Sequence, residues 1–110
     1  MENPVEISVH DLKQMLDGGE ELLLLDVRNP GEVEVASIAG ARHIPMGEIA
    51  TRLGELDDWR ERRIAVLCHG GVRSVRVQAF LMAQGFSQVL NVAGGIHAWS
   101  LEVDPTVPVY

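Results

Sequence analysis

Cys68 is the one cysteine of a 110-residue chain, and it heads the run Cys68-His69-Gly70-Gly71-Val72-Arg73-Ser74. With no second cysteine it can form neither an internal disulfide nor a cysteine-based zinc cluster, so it acts as a thiol or with another molecule. An isolated cysteine is ordinarily a small buried hydrophobe. Its neighbours argue against that here, because a short apolar run leads into Cys68, two glycines follow it, and Ser74 opens a helix. In such a turn the amides of residues 69 to 73 converge on the sulfur as an anion nest, and the helix adds its positive N-terminal end. That environment favours a thiolate, a persulfide or an oxyanion at one point. Gly70 and Gly71 suit a loop that visits positive φ, and Arg73 adds a permanent cation. His69 brings an acid–base group, although a histidine adjacent to the nucleophile in sequence ordinarily points elsewhere.

Four residues separate Cys68 from Arg73. Phosphatases with a cysteine nucleophile use a loop one residue longer, and the smaller ring suits a single sulfur atom better than a tetrahedral phosphoryl group. No Gly-Lys-Ser/Thr follows the glycines, which removes a kinase-type phosphate loop. Asp26 and Arg28 form a second candidate group, with hydrogen bonding to neighbouring loops favoured over contact with substrate. Arg42 and Arg76 are rim cations or simply solvated. His43 and His97 have no partners at metal-ligand spacing, so no metal is expected, and Trp59 and Trp99 are assigned to packing at helix ends.

The elements that must position these residues alternate. Ser8 and Asp11 form a capping arrangement before Val9, Leu12, Met15 and Leu16, which predicts a helix over 9–17. Leu22 to Val27 is an apolar run broken only by Asp26, which suits a strand buried on both faces and is ended by Asn29-Pro30-Gly31. A short extended piece at Arg42 to Pro45 precedes a predicted amphipathic helix over 46–57. A strand over 64–68 leads to the cysteine loop, and a helix runs from Ser74 to Gly85. A strand over 89–92, a turn at Gly94-Gly95 and a helix over 96–101 follow. This alternation predicts an α/β fold with an open parallel sheet and helices on both faces. Sites in such folds gather at the carboxyl ends of strands, where Asp26 and Cys68 both stand.

With 46% hydrophobic and 23% charged residues, the chain has the composition of one ordinary globular domain over 1–110, with its core at about 5–100 and a tail at 101–110. A net charge of −7 argues against nucleic acid or an anionic membrane as partner. Arg60, Arg62 and Arg63 lie among Glu55, Asp57, Asp58 and Glu61 and read as a mixed-sign solvated surface. Met1-Glu2-Asn3-Pro4 lacks the features of a secretory signal, and the expected compartment is the cytoplasm.

The loop from Cys68 to Ser74, Leu25-Asp26-Val27-Arg28 with Glu32, and Asn91-Val92-Ala93-Gly94-Gly95-Ile96 with Trp99 together resemble three successive motifs of the rhodanese family. The likeness runs from about Val5 to Trp99. It departs at Val33 and Ser37, where the family often has an aromatic residue and a histidine. The resemblance implies a five-stranded parallel sheet and sulfurtransferase chemistry with no cofactor. Cys68 would be the catalytic nucleophile. It would take sulfur from thiosulfate or a persulfide donor protein and pass it to cyanide, a thiol or a sulfur-carrier protein. The amides of His69, Gly70, Gly71, Val72 and Arg73 would cradle the outer sulfur, with Asp26, Arg28 and Ser74 in support. The tail resembles the ends of rhodanese domains fused to adenylyltransferases, which points to a protein acceptor; Pro105 and Pro108 stiffening a packed tail is the simpler account. A persulfide-binding module without turnover and, further off, a cysteine phosphatase or arsenate reductase remain as alternatives.

Overall fold

The computed structural model describes residues 5–110, so the Met1-Glu2-Asn3-Pro4 segment discussed above lies outside the described residues. Strands β1 (Val5–Ile7), β2 (Leu22–Asp26), β3 (Arg42–His43), β4 (Arg63–Leu67) and β5 (Gln88–Val92) pair in parallel in the order β1-β5-β4-β2-β3. The five-stranded parallel sheet is as expected. Helices α1 (Val9–Asp17), α2 (Pro30–Val35), α3 (Val72–Ala83) and α4 (Gly95–Glu102) complete the regular structure.

Alternation along the strands splits the interior into two cores. Leu24, Ala65, Leu67, Leu90 and Val92 face α1 and α4, packing with Leu12, Ile96 and Trp99. Leu23, Leu25, Val27, Ile64, Val66 and Val89 face the other way, against Val77 and Leu81 of α3 and against Ile49 and Leu56. Cys68 belongs to this second face. Burial on both sides is why β2 is apolar up to Asp26 and β4 is apolar after Arg63, and each fully buried leucine or isoleucine contributes about 2 kcal/mol. Among the described residues no helix is long and apolar enough to cross a membrane.

α1 matches its predicted bounds, with Ser8 accepting from the Asp11 amide and Asp11 accepting from the Ser8 amide. The predicted helix over 46–57 is a correction. Two 3-10 segments, Met46–Glu48 and Leu53–Trp59, stand in its place, separated by a turn. Gly47 and Gly54 weaken an α-helix there, and the three-residue step from Leu53 to Leu56 matches the tighter winding. α2 was not anticipated: Asn29-Pro30-Gly31 ends β2 and at once opens a helix, with Pro30 in its first turn and Glu32 accepting from the Asn29 amide. β1 was not singled out either, being too short to show a period.

Candidate active site

α3 begins at Val72 rather than at Ser74, and this shift explains the site. Gly71, at φ 102°, caps the helix in a left-handed conformation, so Val72, Arg73 and Ser74 form the first turn, whose amides have no partner within the helix. Two donors reach the sulfur: the Gly71 N–H at 3.0 Å and the Ser74 N–H at 3.4 Å. The expectation of five amides on the bare thiol is corrected to these two, one of them outside residues 69 to 73. A lone sulfur meets only the donors on its own side of the turn. The Cys68 thiol also lies 3.3 Å from Ser74 Oγ, which donates to Asn91 Oδ1 at 2.5 Å. Asn91 lies on β5 and donates in turn to Glu6. Cys68 is 1% exposed, whereas Gly70 and Val72 are exposed.

The strand end beneath the loop is held by α4. The amides of Ile96 and His97 donate to the carbonyls of Cys68 and His69 at 2.9 and 3.0 Å. Gly95, at φ 58°, lies so close to those two carbonyls that a Cβ there would collide with both. The Gly94-Gly95 turn is therefore the seat on which the cysteine loop rests.

Arg73 does not extend freely into solvent. Its Nη1 and Nη2 donate to the two carboxylate oxygens of Glu32 at 2.6 and 2.8 Å. Chiefly through this pair, with further hydrogen bonds from the Asn29 amide and Tyr110 and against the opposing effect of burial, Glu32 is lowered from 4.5 to about 2. Asp26 and Arg28 form a buried pair, with Arg28 Nη2 at 2.6 Å from Asp26 Oδ2 and Nε at 2.9 Å from Oδ1. Arg28 also donates to the carbonyl of Ala36 at 2.8 Å and to Tyr110 Oη at 2.9 Å. Burial alone would lower the Arg28 pKa, but hydrogen bonds to Asp26 and Tyr110 outweigh it and leave the value raised. The pair thus ties the end of β2 to the carbonyl of Ala36 and to Tyr110.

The remaining candidates fall into place around this centre. His69 Nε2 lies 2.9 Å from the main-chain oxygen of Tyr110, and its ring stacks on the Tyr110 ring at 4.3 Å between centroids. His43 Nε2 meets the carbonyl of Arg28 at 2.6 Å, and Arg42 donates to the carbonyl of Glu55. Arg76 lines a small groove with Met46, Ile49, Ala50, Val77 and Phe80. Glu32 as the partner of Arg73 was not foreseen, although its place after Asn29 and Pro30 signals a helix start. Tyr110 was missed because no local pattern ties a residue at position 110 to one at 28 or 69.

A family model described as Rhodanese-like domain matches residues 8–102. A relative named Sulfurtransferase from Allochromatium vinosum is 38% identical over 102 residues, covering 93% of this chain and 94% of that protein. Rhodanese-like/PpiC domain-containing protein 12, chloroplastic, from Arabidopsis thaliana is 41% identical over 93 residues, covering 83% of this chain and 31% of its own length. Adenylyltransferase and sulfurtransferase MOCS3-1 from Zea mays is 34% identical over 109 residues, with 94% and 23% covered. The chain thus spans about a third or less of those two longer relatives. Among solved structures, a rhodanese-like domain protein from Staphylococcus aureus superposes with a TM-score of 0.82 at 31% identity, over 96% of this chain and 98% of that one. By motif order, fold and sequence, the chain belongs to the family of rhodanese-like domains.

Proposed function

We propose that the chain is a sulfurtransferase that moves a sulfane sulfur through a persulfide on Cys68. The Cys68 thiolate attacks the outer sulfur of thiosulfate. A sulfur–sulfur bond forms to Cys68, the bond to the sulfonate group breaks, and sulfite leaves with that electron pair. In the second half a thiophilic acceptor, cyanide or a thiolate, attacks the outer sulfur and Cys68 departs as thiolate. No redox cofactor enters, because sulfane sulfur is transferred together with its oxidation state.

The observation that carries this reading is a cysteine sulfur at the end of a parallel strand, under the first turn of α3, with the Gly71 and Ser74 amides directed at it. Those donors favour negative charge on Sγ, and the unpaired amides of the same turn suit an outer sulfur one atom further along. Arg73 acts mainly as a tether for the loop, since Glu32 engages both of its terminal nitrogens. The sulfurtransferase names of the relatives support the reaction class.

Intact mass after incubation with thiosulfate tests the proposal. A gain of one sulfur, about 32 Da, that cyanide removes and that is absent in Cys68→Ser is the expected result. Wild-type protein whose mass never changes with thiosulfate or a persulfide donor would end it. A gain that no acceptor can discharge would instead favour a binding module.

A further inference from the structure

We propose that Tyr110 is a positioning residue for the Cys68 loop, gripping both ends of that loop from outside it. This rests on the reading of Cys68 as the sulfur carrier. His69, at the start of the loop, stacks on the Tyr110 ring with an interplanar angle of 22° and meets the Tyr110 main-chain oxygen. Arg73, at the far end, is clamped by Glu32, and Glu32 Oε2 accepts from Tyr110 Oη at 2.9 Å. The same phenol oxygen accepts from Arg28 Nη1 at 2.9 Å. One side chain therefore joins the buried Asp26–Arg28 pair to the Glu32–Arg73 pair and covers the histidine between them.

Tyr110 is 37% exposed, so its ring is not there to fill the core. The segment before it is nevertheless held in place: Val107 is buried, Asp104 accepts from the amide and hydroxyl of Thr106, and Ser100 Oγ donates to the carbonyl of Pro108. Ordering a half-exposed aromatic residue at the end of such a strap costs conformational entropy, and what it gains is contact with the two residues that bound the loop. Preorganised donors lose effect when they drift by fractions of an ångström. Fixing His69 and Arg73 fixes the Gly71 and Ser74 amides that lie between and beside them. The charged and titratable groups facing this cluster are Asp26, Arg28, Glu32, Arg73, His69 and, edge-on to His69, His97.

The test compares wild type, Tyr110→Phe and Tyr110→Ala by two readouts. The first is the rate of Cys68 alkylation by iodoacetamide as a function of pH, which requires no sulfur transfer. The second is kcat and KM for thiosulfate. We expect Tyr110→Ala to slow alkylation across the profile and to lower kcat about tenfold, with Tyr110→Phe, which keeps the stack but loses the phenol, in between. A folded Tyr110→Ala with the wild-type alkylation profile overturns the proposal. If that variant does not fold, an unchanged profile in Tyr110→Phe overturns it instead. Wild-type protein that never accepts sulfur defeats the assigned function, while the alkylation profiles still decide the role of Tyr110.

Discussion

Arg73 and Glu32, 41 residues apart in sequence, meet as a fork on a fork, with both guanidinium ends on both carboxylate oxygens. A planar fork is what makes the contact directional, and a lysine ammonium cannot reproduce it. Arg73→Lys should therefore fail to restore the loop even though it keeps the charge. Sulfur transfer from thiosulfate should fall about tenfold in Arg73→Lys and further in Arg73→Ala. Steady-state kinetics on both variants checks this, and full activity in the lysine variant would show that charge alone matters.

The same pair gives a stability that depends on pH. Glu32 is held at about 2 in the folded chain against its ordinary 4.5, so the fold favours the carboxylate. A lowered folded value stabilises fully above the unfolded value and is lost as pH falls through the folded one. The contribution should thus be complete above pH 4.5 and decline toward pH about 2. Urea denaturation of wild type and Glu32→Gln should differ by about 2 kcal/mol at neutral pH, and the difference should shrink steadily once the solution is more acidic than 4.5.

Asp26 carries a different risk, because its partner Arg28 is 0% exposed. Removing one member of a buried pair leaves an uncompensated charge, which costs about 3–5 kcal/mol. Asp26→Ala should lower stability by that order, far more than the loss of any surface pair such as Lys13 with Asp17. Replacing both residues with apolar ones would give a smaller loss, and comparing the three proteins by chemical denaturation separates the buried-charge penalty from lost packing.

Much of this arrangement was legible along the chain. The apolar runs at Leu22 to Val27 and Ile64 to Leu67 fixed two central strands, and the cysteine between strand and glycines marked the loop. Local signals failed where two conformations compete over a few residues. Gly71 as a left-handed cap starts α3 before Ser74, and Gly47 with Gly54 turns an apparent helix into 3-10 segments. What could not be read at all was the set of long-range pairings. Arg28 with Tyr110, His69 with Tyr110, and the α4 amides with the carbonyls of Cys68 and His69 join residues whose spacing carries no period.

Gly95 is where one of those pairings becomes testable. A methyl group there would strike the carbonyls of Cys68 and His69, and the residue already sits at φ 58°. Both effects push α4 away from the strand end, so the Ile96 and His97 amides would lose their acceptors. Gly95→Ala should cost about 2–4 kcal/mol from strain and lost hydrogen bonds. Sulfur loading of Cys68 should fall with it. Thermal unfolding together with the mass assay checks both, and a variant as stable and active as wild type would refute the seat described for the loop.

Gly71 tests the loop from the opposite side. Its φ of 102° is a conformation that side chains with a Cβ rarely adopt, and an added Cβ would lie 3.3 Å from the Gly94 nitrogen. A β-branched residue resists this most strongly. Relieving the strain requires rotating the peptide that directs the Gly71 N–H at Sγ, the shorter of the two amide contacts on sulfur. Gly71→Val should therefore keep the sheet and both cores, seen as an unchanged far-ultraviolet circular dichroism spectrum, while losing about a hundredfold in transfer rate. Gly70 makes the control, since φ there is not positive and nothing lies near its added Cβ. Gly70→Ala should be milder than any substitution at Gly71, and the reverse order would mean that the amide of Gly71 is not the donor that matters.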